Sequence, residues 1–349
     1  MKCCRHPIAA VAVLCVALVP WSSSEAQPDS PLFSGHEPIS MTLEAPVRRL
    51  VNRRDRRETD ALVRYTTADG TLVALEAEIR TRGNSRLELC SFPPLSLKFK
   101  RKRVRDTLFA EQKRLKLVTL CRPNAAFEQY LELEYLAYRV YATVSDYAFR
   151  VRPVRMQYVD TARNGRVTEA PAFFIENIRG VAERTDRVRA RRRSVAAEEL
   201  EPASLAVLSL FQFMIGNTDW SALAAAEGEA CCHNTALLAD RDRADGVVAV
   251  PYDFDQAGLV NASYARPPQG LGLRSVKQRL YRGLCSTNDE LDAAIAVFNA
   301  ARPAIESLVD EAALDESGRM RALDYLAGAY EIFNDPVRRD EQIIARCRG

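Results

Sequence analysis

From residue 39 to about residue 175, apolar and polar positions alternate with a period of two in short segments, the spacing of half-buried strands. Residues 39–43, 72–79, 95–99, 115–120, 149–158 and 172–175 are predicted to be strands. One segment, 127–144, departs from this series. Its helical spacing puts Phe127, Tyr130, Leu131, Glu134, Tyr138 and Tyr141 on one face. After Glu176 the period becomes helical over 198–215, 288–309 and 317–333, with short strands expected at 235–238 and 247–252. The stretch 203–215 is apolar on almost every side, which predicts a buried helix. A sheet-rich half over 39–175 followed by a mainly helical half over 176–349 is an α+β arrangement.

Composition adds the compartment. Lys2 and Arg5 precede an apolar run at 8–19, Pro20 ends it, and Ser24-Glu25-Ala26 offers a small-residue cleavage site. Residues 1–26 therefore read as an export signal, 27–38 as a polar tether, and the mature protein as secreted or periplasmic. The run is shorter than a membrane-spanning helix, and no later stretch approaches that length, so no integral membrane segment is expected after cleavage. Hydrophobic residues at 47% and charged residues at 27% describe an ordinary globular chain and exclude disorder or a coiled coil throughout. The net charge of +3 identifies no partner. The basic clusters at 48–57, 98–105 and 184–193 lack interleaved aromatics. They read as solvated faces, the last on a helix, and no nucleic-acid partner is expected.

Three of the nine cysteines lie in the leader, leaving Cys90, Cys121, Cys231, Cys232, Cys285 and Cys347. An even number in an exported chain favours disulfides over zinc, since there is no C-x-x-C pair and histidine is scarce. Cys90 and Cys121 flank the segment carrying the strands at 95–99 and 115–120 and are expected to pair. Cys285 is expected to pair with Cys231 or Cys232.

The chemistry concentrates in three loops: Gly216-Asn217-Thr218-Asp219-Trp220, His233-Asn234, and Pro251-Tyr252-Asp253-Phe254-Asp255. The first leaves the buried helix, and the others adjoin the two short strands. Asn234, Asp253 and Asp255 are oxygen donors of the kind that hold Mg²⁺ while leaving room for substrate phosphates. An Asp such as Asp219 orients or deprotonates an acceptor hydroxyl in phosphoryl transfer. Each residue alone is ordinary turn chemistry; the ordered set is what points to a site.

These loops resemble the catalytic and metal loops of CotH-type (spore-coat) kinases. Ile79-Arg80-Thr81-Arg82-Gly83-Asn84-Ser85 is similar to that family's Arg-Gly-Asn-Ser turn. The resemblance covers about 79–281. It implies a protein-kinase-like two-lobed fold, with an N-terminal antiparallel sheet lobe carrying one helix and a mainly helical C-terminal lobe. It also implies Asp219 as the catalytic residue, Asn234 and Asp253 as metal ligands, and ATP with Mg²⁺ as cofactors. Two features depart from the kinase pattern. Asp219 and Asn234 are fifteen positions apart, where ordinary kinases have five, and no G-x-G-x-x-G loop exists. Arg82 to Ser85 stands in as the candidate phosphate turn, with Arg82 facing the phosphates.

Such a site also needs a lysine on the phosphates and a carboxylate to hold it. Alternation places Lys116 on the apolar face of Val118, whereas Lys98 shares a solvated face with Ser96 and Lys100. Family position slightly favours Lys98, but the stronger pattern selects Lys116, with Glu134 as the partner on the helix. The expected function is an exported ATP- and Mg²⁺-dependent phosphotransferase acting on Ser/Thr hydroxyls of a protein substrate. The alternative is a catalytically idle surface or envelope binding module, which the scarcity of ATP outside the cytoplasm makes pertinent.

Overall fold

The alternating segments form seven strands that close on themselves. In chain order these are β1 (Ile39–Ala45), β2 (Thr59–Thr66), β3 (Leu72–Thr81), β4 (Leu95–Phe99), β5 (Arg114–Thr119), β6 (Val151–Asp160) and β7 (Arg166–Ile175). Helices α1 (Val47–Arg53), α2 (Ser85–Leu89), α3 (Arg101–Val104) and α4 (Ala125–Val144) lie between them. The computed structural model describes residues 30–54, 56–225, 231–243 and 245–349; the export signal read over 1–26 lies outside these.

The strand order is β1-β2-β3-β4-β5-β7-β6, and β6 returns to β1. That last pairing is parallel, with Ile39 opposite Val154 and Ala45 opposite Asp160, whereas β1 pairs antiparallel with β2. The sheet is thus a mixed, closed barrel. This overturns the expected protein-kinase-like two-lobed fold with an antiparallel sheet lobe. Two things missed in the sequence account for the difference. Strand β2 was not predicted, and period-two alternation carries no information about which strands meet across the seam.

Inside the barrel, Leu95, Leu97, Leu115 and Leu117 interdigitate with Phe99 and Phe174, all buried. Leu32 and Phe33, within the stretch read as a tether, also pack into this core. The outward positions at the C-terminal ends of β5 and β7 are covered rather than solvated. Val118, Phe173 and Ile175 belong to a second core shared with α4 and the C-terminal half. Tyr135 and Tyr138 of α4 pack on Phe173 with ring centroids 5.7 and 5.8 Å apart. Asn124 caps this helix by accepting the Phe127 N–H at 3.1 Å. Helix α4 therefore joins the barrel to the rest of the molecule.

The C-terminal half contains α5 (Ile178–Arg184), β8 (Val188–Ala190), α6 (Pro202–Met214), β9 (Thr235–Ala239), β10 (Val248–Pro251), α7 (Leu291–Glu311), α8 (Glu316–Asn334) and α9 (Pro336–Gln342). Strands β10, β9 and β8 form a small antiparallel sheet. The basic run at 184–193 supplies β8 rather than the expected helix face, because β9 offers it a pairing edge. Among the described residues no helix is long and apolar enough to cross a membrane.

Cys90 and Cys121 are bonded as expected, with Cα atoms 4.6 Å apart. The pairing expected for Cys285 is corrected. Cys285 bonds Cys347, and Cys231 bonds its neighbour Cys232. The C-terminal tail returns alongside residues 283–285, where the Arg348 N–H donates to Gly283 O and the Cys285 N–H to Arg348 O, both at 2.9 Å.

Candidate active site

The Asp219 loop is held from beneath. Helix α6 ends against Gly216, whose φ is +64° and where a Cβ would run into the Tyr325 hydroxyl, so only glycine fits the turn. Buried Asn217 donates from Nδ2 to Gln212 Oε1 at 2.9 Å, and its Oδ1 accepts the Asp219 N–H at 3.0 Å. This fixed turn presents the Asp219 carboxylate. His233 Nε2 lies 2.7 Å from Asp219 Oδ1, and Asn234 Nδ2 donates to Asp219 O at 2.8 Å and Oδ2 at 3.1 Å. The fifteen positions between Asp219 and Asn234 therefore do not separate them in space.

The Asp253 loop docks on the same spot. The Tyr252 N–H donates to Asn234 O at 2.9 Å, and the Asp253 N–H donates to the Tyr138 hydroxyl at 2.9 Å. Asn234 and Asp253 both occupy the left-handed region, with φ of +52° and +65°. Asn and Asp tolerate that conformation better than other side chains, because their short polar groups hydrogen-bond locally.

Behind the loop stands Arg86, on the short helix α2. Its guanidinium makes a two-pronged contact with Glu134, 2.8 Å to Oε2 and 3.0 Å to Oε1. It also hydrogen bonds Asp253 Oδ1 and lies 3.5 Å from Asp255 Oδ2. Arg86, Glu134 and Asp255 are buried and Asp253 is half-buried, so one cation serves three carboxylates, two of them out of water. Burial opposes charge on Arg86, but Asp255, Glu134 and Asp253 outweigh it and hold the guanidinium firmly protonated. Burial likewise pushes the Glu134 carboxyl up from its ordinary range, against the pull of Arg86. For Asp253 the burial effect is overcome by Arg86, Arg82 and Lys116, which leave its carboxyl below the usual value.

The expected pairing of Lys116 with Glu134 is absent, because Arg86 occupies that carboxylate. Lys116 projects from the outer face of β5, with Nζ 4.3 Å from the Tyr252 ring centroid and 5.7 Å from that of Phe149. Among the described residues it has no carboxylate at ion-pair distance. Burial, helped by the charges of Arg82 and Arg189, pushes its ammonium down to about 7, with Asp253 pulling the other way. Arg82 is likewise without a salt bridge among the described residues, and burial lowers it too, with Asp253 the main opposing charge. Both residues are half-buried, so solvent still reaches them. Lys98 lies outside this group, on the barrel's outer face between Glu58 and Glu78.

Asn234, Asp253 and Asp255 carry the oxygen donors expected of a Mg²⁺ site, and the Arg86 guanidinium contacts both carboxylates. Asp255 Oδ2 is buried without a hydrogen-bond partner, and Asn234 uses only its Nδ2 among the described residues. Those residues hold no group of three His, Cys, Asp or Glu side chains at metal-binding distance. A cavity of about 1500 Å³ lies elsewhere, where β5, α5 and the start of α6 meet, and includes none of these residues. Its inner charges are already matched, Glu176 accepting from Arg184 and from the Arg150 N–H.

Sequence reasoning missed Arg86 and Tyr138 as members of the site, and named His233 in its loop without giving it a role. Arg86 directly follows the Arg-Gly-Asn-Ser turn and His233 directly precedes Asn234, so adjacency to a suspected residue was the available signal. Tyr138 had been placed on the apolar face of α4, where its hydroxyl gave no hint of a partner. No family model matches the chain and no curated protein matches it, so the likeness to CotH-type kinases rests on the loop residues themselves.

Proposed function

We propose that the loops of Asp219, Asn234 and Asp253, with Arg82 and Lys116, bind a nucleotide phosphate and transfer a phosphoryl group to a hydroxyl, ATP being the donor and a protein Ser or Thr the acceptor. The observation that carries the proposal is that Arg82 and Lys116, two half-buried cations without ion-pair partners among the described residues, face the loop of Asp253. Burying unpaired charge is costly, and an anionic ligand removes that cost. The closed barrel is no obstacle, since the proposal draws on the site and not on a kinase architecture.

The roles follow from position. Arg82 and Lys116 neutralise the phosphates, and binding returns a proton to Lys116. Asp219 accepts the acceptor's hydroxyl proton while the hydroxyl oxygen bonds to the transferred phosphorus. The bond from that phosphorus to the leaving ADP oxygen then breaks. Mg²⁺, held through Asn234, Asp253 and Asp255, would offset charge on the phosphate oxygens. Three bonded cysteine pairs support the expectation of an oxidising, exported setting.

Thermal unfolding with ATP, with and without Mg²⁺, tests this directly. Ligand at a hundred times its dissociation constant adds about 2.7 kcal/mol, which shows as a clear rise in melting temperature. Asp253→Ala should abolish the Mg²⁺-dependent part, and Asp219→Ala should keep it while losing transfer. One observation favours the binding-module alternative: Arg86 already neutralises Asp253 where a metal would stand. A nucleotide affinity indifferent to Mg²⁺, with no transfer to any acceptor, would select it.

A further inference from the structure

Besides Arg82 and Lys116, a second pair of cations, Arg282 and Arg348, stands beside the Asp219 turn. Arg282 Nη1 donates to Thr218 O at 2.8 Å, which fixes its guanidinium one residue from Asp219. Arg348 Nε donates to Arg282 O at 2.9 Å. The tail carrying Arg348 is held there by the Cys285–Cys347 disulfide and by the bridge between Leu284 and Arg348. Both arginines are half-buried, and neither has a carboxylate at ion-pair distance among the described residues. Arg282 Nε is buried without a hydrogen-bond partner. Burial and the charge of Arg348 both push Arg282 down, and Asp219 is the group opposing them.

Packing two like charges together costs free energy unless an anion joins them. Nothing in the Asp219 turn requires Arg348, since Asn217 and Arg282 already fix it. We infer that Arg282 and Arg348 bind a carboxylate of the acceptor, so that the acceptor is an acidic peptide whose hydroxyl lies at Asp219. This rests on the phosphotransfer reading for the identity of the group at Asp219. Arg282 and Arg348 are specificity-determining residues in it and not catalytic ones.

The test uses the full protein and three labelled peptides sharing one serine, flanked by glutamates, by lysines or by alanines. Fluorescence anisotropy reads their binding at low and high salt, for wild type, Arg282→Gln and Arg348→Gln, with circular dichroism confirming that each variant folds. The glutamate peptide is expected to bind at least tenfold more tightly than the lysine peptide at low salt. That preference should shrink at high salt and fall several-fold in each variant. Equal binding of the acidic and basic peptides by wild type overturns the inference, as does an acidic preference left intact in Arg348→Gln, the variant furthest from the Asp219 turn. The Mg²⁺-ATP melting shift of wild type is read in parallel. Its absence alongside an intact, arginine-dependent acidic preference removes the phosphotransfer reading while leaving the acidic-peptide surface, so the two failures are distinguishable.

Discussion

Lys116→Met gives the sharpest physical test of the half-buried cations. The folded lysine releases its proton at about 7, against an ordinary 10.5. That difference corresponds to about 5 kcal/mol of unfavourable charging free energy. Solvent reaching the half-buried ammonium reduces the expected effect to about 2–3 kcal/mol. The sign follows from proton counting. Between 7 and 10.5 the unfolded chain holds a proton on Lys116 that the folded chain has released, so wild-type stability rises with pH there. Below 7 both states are protonated and the full cost is present. Methionine fills the same space without charge, so the variant should be more stable by about 2–3 kcal/mol at pH 6, with the gap closing toward pH 10. Urea unfolding of both proteins at a series of pH values measures this, and other titrating groups cancel in the difference. A wild type that is more stable than the variant at pH 6 would mean that Lys116 is paired with a carboxylate, and a gap that ignores pH would mean that it is solvated. Either result refutes the account.

Glu134→Ala leaves Arg86 buried with one partner fewer and should cost about 3–5 kcal/mol in chemical denaturation; Glu134→Gln, which keeps the shape, should cost less. Gly216→Ala forces a left-handed alanine against Tyr325 and should destabilise by more than about 1–2 kcal/mol while lowering any activity at Asp219. Replacing Cys90 and Cys121 together by serine opens a loop with a sequence separation of 31. A loss of about 3–4 kcal/mol in urea unfolding is expected.

Local chemistry was legible in the sequence, and closure was not. Strand β4 was placed to the residue, because its alternation is strong and Pro94 and Lys100 bound it. Helix α4 and α6 were equally plain, from their spacing and from apolar density. Strand β2 was lost because Arg53 to Arg57 and Asp60 made the stretch look solvated, although its inward residues Val63 and Tyr65 are buried. The loops of Asp219, Asn234 and Asp253 were found because they adjoin strongly patterned elements, and the hydrogen bonds bring all three together. The partner of Glu134 could not be read. Choosing between Lys116 and Arg86 depends on whether a side chain leaves β5 or α2 toward the helix, a fact of the barrel's curvature that no spacing encodes. The tail's return to Arg282 is equally a matter of long-range geometry.

The parallel seam has a consequence for synthesis. Strand β1 emerges from the ribosome early, but its second neighbour is β6, with Ile39 opposite Val154. At about 5–20 residues per second, the partner follows roughly ten seconds later. Until then β1 presents an unpaired edge of backbone donors and acceptors, a template for any other extended chain nearby. Once the seam zips, that hazard disappears for good, because a closed ring of strands has no edge left to recruit. The vulnerable interval of this protein therefore belongs to its birth rather than to its working life, and a chaperone that shields nascent chains should matter to its yield more than any later protection of the finished barrel.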